Sequence, residues 1–148
     1  MESRFINEQY RNLAEQVINE QPELAEVRLY APRIAYLSSN LEKKNGEDML
    51  VLGQCEKVQN KNKWAINYEY TITLFEPNIE GLSEDQLKIL LFHELLHIRI
   101  ERNKEGGMVY SLNKHDLSDF KIIIDRYGVD WDKRNGGTDA GSGELFTD

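Results

Sequence analysis

The chain has 148 residues, the usual size of one folded domain, and 40% of them are apolar while 30% are charged. This composition excludes a disordered chain, because it holds enough apolar surface to offset the entropy lost on folding. The formal net charge of −8 argues against a general attraction to nucleic acid or anionic lipid. A single cysteine and an N-terminus unlike a secretory signal favour a cytoplasmic protein, and no apolar run reaches the roughly 20 residues of a membrane span.

The first half of the chain is predicted to form helices and then strands. The expected elements, in chain order, are a helix ending before Pro22, a short helical segment at 22–27, and strands at 33–37, 49–58 and 64–74. Apolar residues at helical spacing indicate the first helix, and strict alternation from Trp64 to Leu74 indicates the last strand. The second and third strands are expected to form an antiparallel hairpin. Within the second strand, Gly53 indicates a bulge and Cys55 a small core residue.

The second half is predicted to be mainly helical. Ser83 and Gln86 have the spacing of a capping box, so a helix should begin near Glu84 and continue toward Gly106 and Gly107. Its apolar residues lie around much of its surface, which is typical of a helix buried inside a domain.

A last helix is expected to follow this buried helix. It should run from about Asp116 to Tyr127, stop at Gly128, and have Trp131 folded back onto it. Residues 1–132 would form one domain, and the Gly- and Asp-rich residues 133–148 a flexible tail.

The segment His93-Glu94-Leu95-Leu96-His97 interrupts the predicted buried helix with the pattern H-E-x-x-H. Two histidines four residues apart lie on the same face of a helix and can share one metal ion. Neutral imidazoles suit zinc, while Glu94 is placed to take a proton from the attacking water rather than to bind the metal. Burying these polar groups among leucines would cost free energy unless a ligand satisfied them. The pattern therefore indicates a Zn²⁺-dependent hydrolase with Glu94 as general base.

A catalytic zinc ion needs a third protein ligand and one open position. His115 follows His97 after 17 residues and is the candidate, because a turn at Gly106 and Gly107 could return the chain to the metal. Glu101 is a rival, but on a continuous helix it would lie about 12 Å from His93 along the axis. Glu105 is a weaker alternative.

Two carboxylates could orient the third histidine. Asp119 lies four residues after His115 and could accept a hydrogen bond from its second ring nitrogen. Asp116 could do the same, although it could equally cap the last helix.

With the segments Leu91 to Ile98, His115 to Phe120 and Tyr127-Gly128, the chain resembles the family of phage metallopeptidases. The blocks Arg33 to Leu37 and Val51 to Gly53 are also similar to that family. The resemblance implies an α+β, zincin-like core similar to SprT-like proteases, with zinc bound by His93, His97 and His115, encoded by a phage, a prophage or another mobile element. Where many members have a Tyr-Asp-Phe-like strand, this chain has Tyr68-Glu69-Tyr70.

The sequence thus predicts a zinc metallopeptidase in the cytoplasm of a bacterial host, acting on a protein or peptide substrate. A small antiparallel sheet would pack on the active-site helix between flanking helices, and a substrate strand would add beside the strand from Trp64 to Leu74. One alternative is a catalytically silent module in which zinc staples the core and the surface binds a host or phage protein. Another is a hydrolase acting on a non-peptide amide. Nothing in the sequence indicates an oligomeric state.

Overall fold

Helices and small sheets are combined in the computed structural model, which describes residues 1–62, 64–114, 121–128, 130–133 and 144–145. The helices are α1 (Glu8–Glu20), α2 (Ala25–Tyr30), α3 (Glu76–Ile79), α4 (Glu84–Leu96) and α5 (Lys121–Tyr127). The strands are β1 (Arg4–Ile6), β2 (Ile34–Ser39), β3 (Leu50–Val51), β4 (Gly53–Lys57), β5 (Tyr70–Phe75), β6 (Ile98–Arg102), β7 (Met108–Leu112) and β8 (Glu144–Leu145). Short 3₁₀ turns lie at Pro22–Leu24 and Asn60–Asn62. The predicted α+β class is confirmed.

The main sheet has four strands in the order β1-β2-β5-β4. Strand β5 is antiparallel to β4, as expected for the hairpin, but it is parallel to β2. The sheet is therefore mixed, and the prediction of a purely antiparallel sheet was wrong. The chain reverses its direction twice between β2 and β5, so β5 regains the direction of β2 when it pairs beside it.

The hydrophobic core lies between one face of this sheet and helices α1 and α4. Because side chains alternate along a strand, every second residue of β2, β4 and β5 faces these helices. The core residues of the sheet are Ile34, Tyr36, Cys55, Tyr70, Ile72 and Leu74, and those of the two helices include Tyr10, Ala14, Val17, Leu90, Leu91 and Leu95. Cys55 is a small core residue, as predicted. The sheet thus forms the platform that supports α4.

The third strand begins later than its alternating pattern predicts. It starts at Tyr70, while Trp64 lies in a turn with its side chain 89% exposed. Strand β4 ends at Lys57, which pairs with Tyr70, and among the described residues no strand of the main sheet lies beside residues 64–68. Alternation alone does not make a strand where no partner strand is present.

Helix α4 begins as predicted and ends sooner. The Ser83 hydroxyl accepts a hydrogen bond from the Gln86 N–H (3.2 Å), and the Gln86 side-chain oxygen accepts one from the Ser83 N–H (2.8 Å), so the capping box is complete. The helix ends at Leu96, and β6 starts two residues later. The predicted continuation toward Gly106 and Gly107 was therefore wrong.

Strands β6 and β7 form a separate antiparallel hairpin in place of that continuation. At its tip the Asn103 side chain accepts a hydrogen bond from the Gly107 N–H (2.7 Å), and Gly106 has a φ of +84°, which glycine adopts without a steric penalty. The register pairs Ile98 with Leu112 at the open end. The chain consequently returns to the place where α4 ended.

Tyr70 attaches this hairpin to the main sheet. Its side chain is fully buried, and its hydroxyl proton lies between the carbonyl oxygens of Arg99 (3.1 Å) and Ser111 (2.9 Å), one on each hairpin strand. Its ring meets that of Tyr110 edge to face, with centroids 6.1 Å apart. Burial raises the pKa of Tyr70 above its ordinary value, so the hydroxyl keeps the proton that it donates.

The last helix ends where the sequence predicts. Helix α5 ends at Tyr127, Gly128 has a φ of +85°, and Trp131 is buried in the core. Within residues 133–148, predicted to be a tail, the two residues of β8 pair in parallel with β3. No helix among the residues that the structure describes has the length and apolar character needed to cross a bilayer.

We expect Tyr70→Phe to lower the free energy of unfolding by about 1–2 kcal/mol, because it removes the hydroxyl proton that lies between the carbonyl oxygens of Arg99 and Ser111. Urea denaturation of the purified chain measures the change. Tyr68→Phe removes a hydroxyl two residues earlier, outside β5, and should change stability by less than about 0.5 kcal/mol. Equal effects of the two substitutions would show that the Tyr70 hydroxyl does not hold the hairpin.

Candidate metal centre

Three polar residues lie on the last turns of α4, in the interior of the protein. His93 and Glu94 are completely buried, and His97, which caps the helix, is 5% exposed. They lie among Leu90, Leu91, Phe92 and Leu95, all of them core residues. The helical spacing of four residues brings the two imidazoles to the same side of the helix. The predicted cluster of His93, Glu94 and His97 therefore exists in the fold.

The ligand atoms of these three residues lie within 4.8 Å of one another. The two imidazole rings are 5.3 Å apart between centroids, with an angle of 71° between their planes. The distance between His93 Nε2 and Glu94 Oε2 is 4.0 Å. A metal ion could bind one ring nitrogen of each histidine, because the ligand atoms lie within 4.8 Å of one another and side-chain rotation can bring them closer.

The protonation of His97 follows from its backbone contact. Its Nδ1 lies 2.7 Å from the carbonyl oxygen of Asn113. A carbonyl oxygen can only accept a hydrogen bond, so this contact places a proton on Nδ1, and in the neutral imidazole Nε2 then keeps its lone pair. A metal-binding histidine typically donates its other ring proton to a carbonyl or carboxylate in this way. His97 is therefore held in the tautomer that a metal ion requires.

Asn113 makes two further contacts with the end of α4. Its N–H donates to the His97 carbonyl (2.6 Å), and its side-chain amide donates to the Leu96 carbonyl (3.2 Å). These bonds extend the β6–β7 ladder by one residue pair, since Ile98 already pairs with Leu112. The chain that leaves β7 is thus fixed to the helix that carries the histidines.

The structure answers some of the sequence-based expectations about ligands. Glu101 lies on β6, where its exposed carboxylate pairs with Arg99 (2.9 Å). Its exposure to solvent therefore excludes it as a ligand of the buried cluster, rather than the distance along a helix that the sequence suggested. Glu105 is exposed at the tip of the hairpin. Among the described residues, only His93, Glu94 and His97 form a group that could hold a metal. His115, Asp116 and Asp119 lie outside the described residues.

Glu69 lies in the segment Tyr68-Glu69-Tyr70, where the chain departs from the pattern of similar proteins. Its ion pair is with Arg33 and not with the histidine cluster. Its carboxylate pairs with Arg33 (3.4 Å), and its N–H donates to the Arg33 carbonyl (2.8 Å). Both contacts hold the start of β5 beside the start of β2. We interpret Glu69 as a residue that fixes the sheet.

Sequence reasoning missed two residues that shape the site. Asn113 was not among the candidate site residues, and Gly53 was interpreted as a bulge. The register of β4 with β5 continues through Gly53 without an extra residue, so that interpretation of Gly53 was wrong. The signal for the hairpin that positions Asn113 was present, because Ile98 to Arg102 alternates apolar and charged residues and is separated from Met108 to Leu112 by a glycine-containing turn.

An α+β fold with two histidines and a glutamate on one buried helix is typical of metallopeptidases. The family model described as "Putative phage metallopeptidase" matches residues 3–136, and the chain belongs to that family. The family implies a metal ion and a peptide or protein substrate. No curated protein and no solved structure matches the chain, so the expected similarity to SprT-like proteases stays a prediction.

We expect Asn113→Ala to weaken metal binding by about tenfold, because it removes the side-chain bond to Leu96 and loosens the segment whose carbonyl orients His97. Competition with a chromophoric chelator measures the dissociation constant. Asn62→Ala, at an exposed turn distant in sequence, is the control and should leave the affinity unchanged. Wild-type affinity in Asn113→Ala would show that the backbone bonds alone orient the histidine.

Proposed function

We propose that the chain is a zinc metallopeptidase in which Glu94 acts as the general base for hydrolysis of a peptide bond. The observation that carries the proposal is the buried group of His93, Glu94 and His97, whose ligand atoms lie within 4.8 Å of one another. Membership of a metallopeptidase family supports the same activity. The phage or mobile-element origin that the family description suggests is part of this proposal.

The donor set fits zinc. Two neutral imidazoles are ligands of the borderline type that Zn²⁺ prefers, whereas Mg²⁺ and Ca²⁺ prefer oxygen ligands. The tautomer of His97 leaves Nε2 available as a donor. Burial of both rings in an apolar surrounding keeps water from competing for the donors.

The third ligand in this proposal is His115. Two residues of extended chain span at most about 7 Å, and His115 follows Asn113 by two residues. Because Asn113 is bonded to the backbone and the ring of His97, its attachment keeps the following chain near the cluster. The 17 residues between His97 and His115 are thus the β6–β7 hairpin and the residues that flank it. Asp116 or Asp119 would orient the His115 ring.

Each residue of the candidate site then has a defined role in the proposed reaction. When bound, zinc supplies a water of lowered pKa and polarises the substrate carbonyl. Glu94, held at the same turn of α4 as His93, accepts the proton of the attacking water and passes it to the leaving amine. The ring of His97 is held in its orientation by the contact of Nδ1 with the Asn113 carbonyl oxygen.

The strand available to a substrate is β4 and not the segment from Trp64 to Leu74, since β5 lies between β2 and β4. The Leu52 carbonyl accepts from the Phe75 N–H (3.0 Å) and the Val58 N–H donates to the Glu69 carbonyl (2.9 Å). Hydrogen-bonded pairs alternate in an antiparallel ladder, so the N–H and C=O groups of Gly53 point away from β5. A peptide could pair with these groups as an added strand.

The test is zinc content and cleavage of an unfolded protein mixture, measured on wild type, Glu94→Gln, His115→Ala and the control Glu105→Gln. We expect one zinc ion per wild-type chain and cleavage that Glu94→Gln abolishes without loss of metal, because the amide cannot accept the proton. His115→Ala should lose zinc affinity. Glu105→Gln changes an exposed carboxylate of the hairpin tip and should resemble wild type.

Three results would contradict the proposal. A chain that binds one zinc ion but cleaves nothing, in any variant, would support the silent protein-binding module, and cleavage restricted to small non-peptide amides would change the substrate class. Cleavage by Glu94→Gln at the wild-type rate would remove Glu94 from the mechanism.

A further inference from the structure

We infer that Gly53 is a positioning residue for Glu94: the absence of a side chain at the start of β4 creates the space in which the Glu94 carboxylate lies. The inference rests on the proposed role of Glu94 in catalysis. It concerns a residue on a different element from the histidine motif and a contact that the motif does not contain.

The packing around Gly53 leaves no room for a methyl group. A Cβ built on Gly53 would lie 3.0 Å from Glu94 Oε2, 2.9 Å from Leu74 Cδ2 and 3.4 Å from the carbonyl oxygen of Thr73. Ordinary contacts of a Cβ begin near 3.4 Å, so both the carboxylate and the leucine methyl are too close. Glu94 and Leu74 are completely buried, which leaves them little freedom to move aside.

Backbone conformation does not explain the glycine. Among the described glycines, Gly81, Gly106 and Gly128 have positive φ values, and Gly53 does not. Gly53 pairs with Leu74 in a regular register, so a larger residue could adopt its backbone angles. A glycine inside a strand costs stability through its greater freedom in the unfolded chain. The requirement at this position is therefore space beside Glu94.

The contact also sets the distance between the catalytic base and the strand proposed to hold the substrate. Gly53 is the first residue of β4, and its own N–H and C=O point away from β5. A carboxylate that rests against Gly53 is therefore adjacent to the backbone with which a substrate would pair. A methyl group there would move Glu94 by several tenths of an ångström, or displace the strand.

The first arm of the test needs neither zinc nor substrate. In chelator-treated protein, the midpoint of urea denaturation is measured for wild type, Gly53→Ala, Glu94→Ala and the double variant. We expect Gly53→Ala to lower the midpoint in the wild-type background and to lower it less than half as much when Glu94 is alanine, because the clashing carboxylate is then absent. Gly46→Ala is the matched control, since nothing lies within 4 Å of a Cβ at that position, and its effect should be the same in both backgrounds.

An equal loss in both backgrounds would overturn the inference, because the collision would then be with Leu74 alone. If Gly53→Ala does not fold, the same four variants are measured with Leu74→Val added to each of them. This substitution removes the leucine Cδ2 atom and leaves the contact between residue 53 and Glu94.

The second arm measures catalysis by the zinc-loaded protein. We expect Gly53→Ala to keep one zinc ion per chain and an unchanged KM while kcat falls by about tenfold or more, since a misplacement of about 1 Å can cost about 100-fold. Wild-type kcat in a folded Gly53→Ala variant would overturn the positioning role. If the wild-type chain itself cleaves nothing, the proposed function fails, but the denaturation cycle still tests the contact between Gly53 and Glu94.

Discussion

The attachment of Asn113 to the end of α4 is the contact on which the geometry of the candidate site depends. Its carbonyl accepts the His97 ring proton, its N–H bonds the His97 carbonyl, and its side chain bonds the Leu96 carbonyl. The first bond selects the tautomer of a candidate ligand, and the other two return the chain to the helix after the β6–β7 hairpin. Tyr70 supports the same hairpin from the main sheet. The site therefore requires three separate elements, namely α4, the hairpin and β5, to be in place together.

The candidate site is buried, and burial of its polar groups costs free energy. Two imidazoles and a carboxylate in an apolar interior lose the hydration they have in the unfolded chain, which costs free energy unless protein groups or a metal ion compensate. Elsewhere in the fold, α1 and α4 pack on the sheet with ordinary apolar side chains. Gly53 shows how closely the sheet approaches the cluster, since even a methyl group there would contact Glu94. Polar chemistry is thus built into the core, where the surrounding atoms can fix it.

What the sequence predicted correctly was local in origin. The H-E-x-x-H spacing, the capping box of Ser83 and Gln86, and the stop at Gly128 each depend on residues within one or two helical turns. The errors concern pairing between distant segments. Ile98 to Arg102 was assigned to the helix that was expected to continue toward Gly106 and Gly107, yet β7, ten residues later, provides the partner that makes it a strand. Trp64 to Tyr68 alternates like a strand but has no partner in the main sheet. The space requirement at Gly53 arises from a contact between residues 41 positions apart, which no local pattern records.

We propose that the β6–β7 hairpin returns the chain so that His93, His97 and His115 meet at one metal ion. Anomalous diffraction at the zinc absorption edge, from crystals of the zinc-loaded chain, tests it most directly. We predict a single anomalous peak about 2.0–2.1 Å from His97 Nε2, from a ring nitrogen of His93 and from a ring nitrogen of His115. A peak bound by His93 and His97 without His115, or a peak at another set of residues, would contradict the claim.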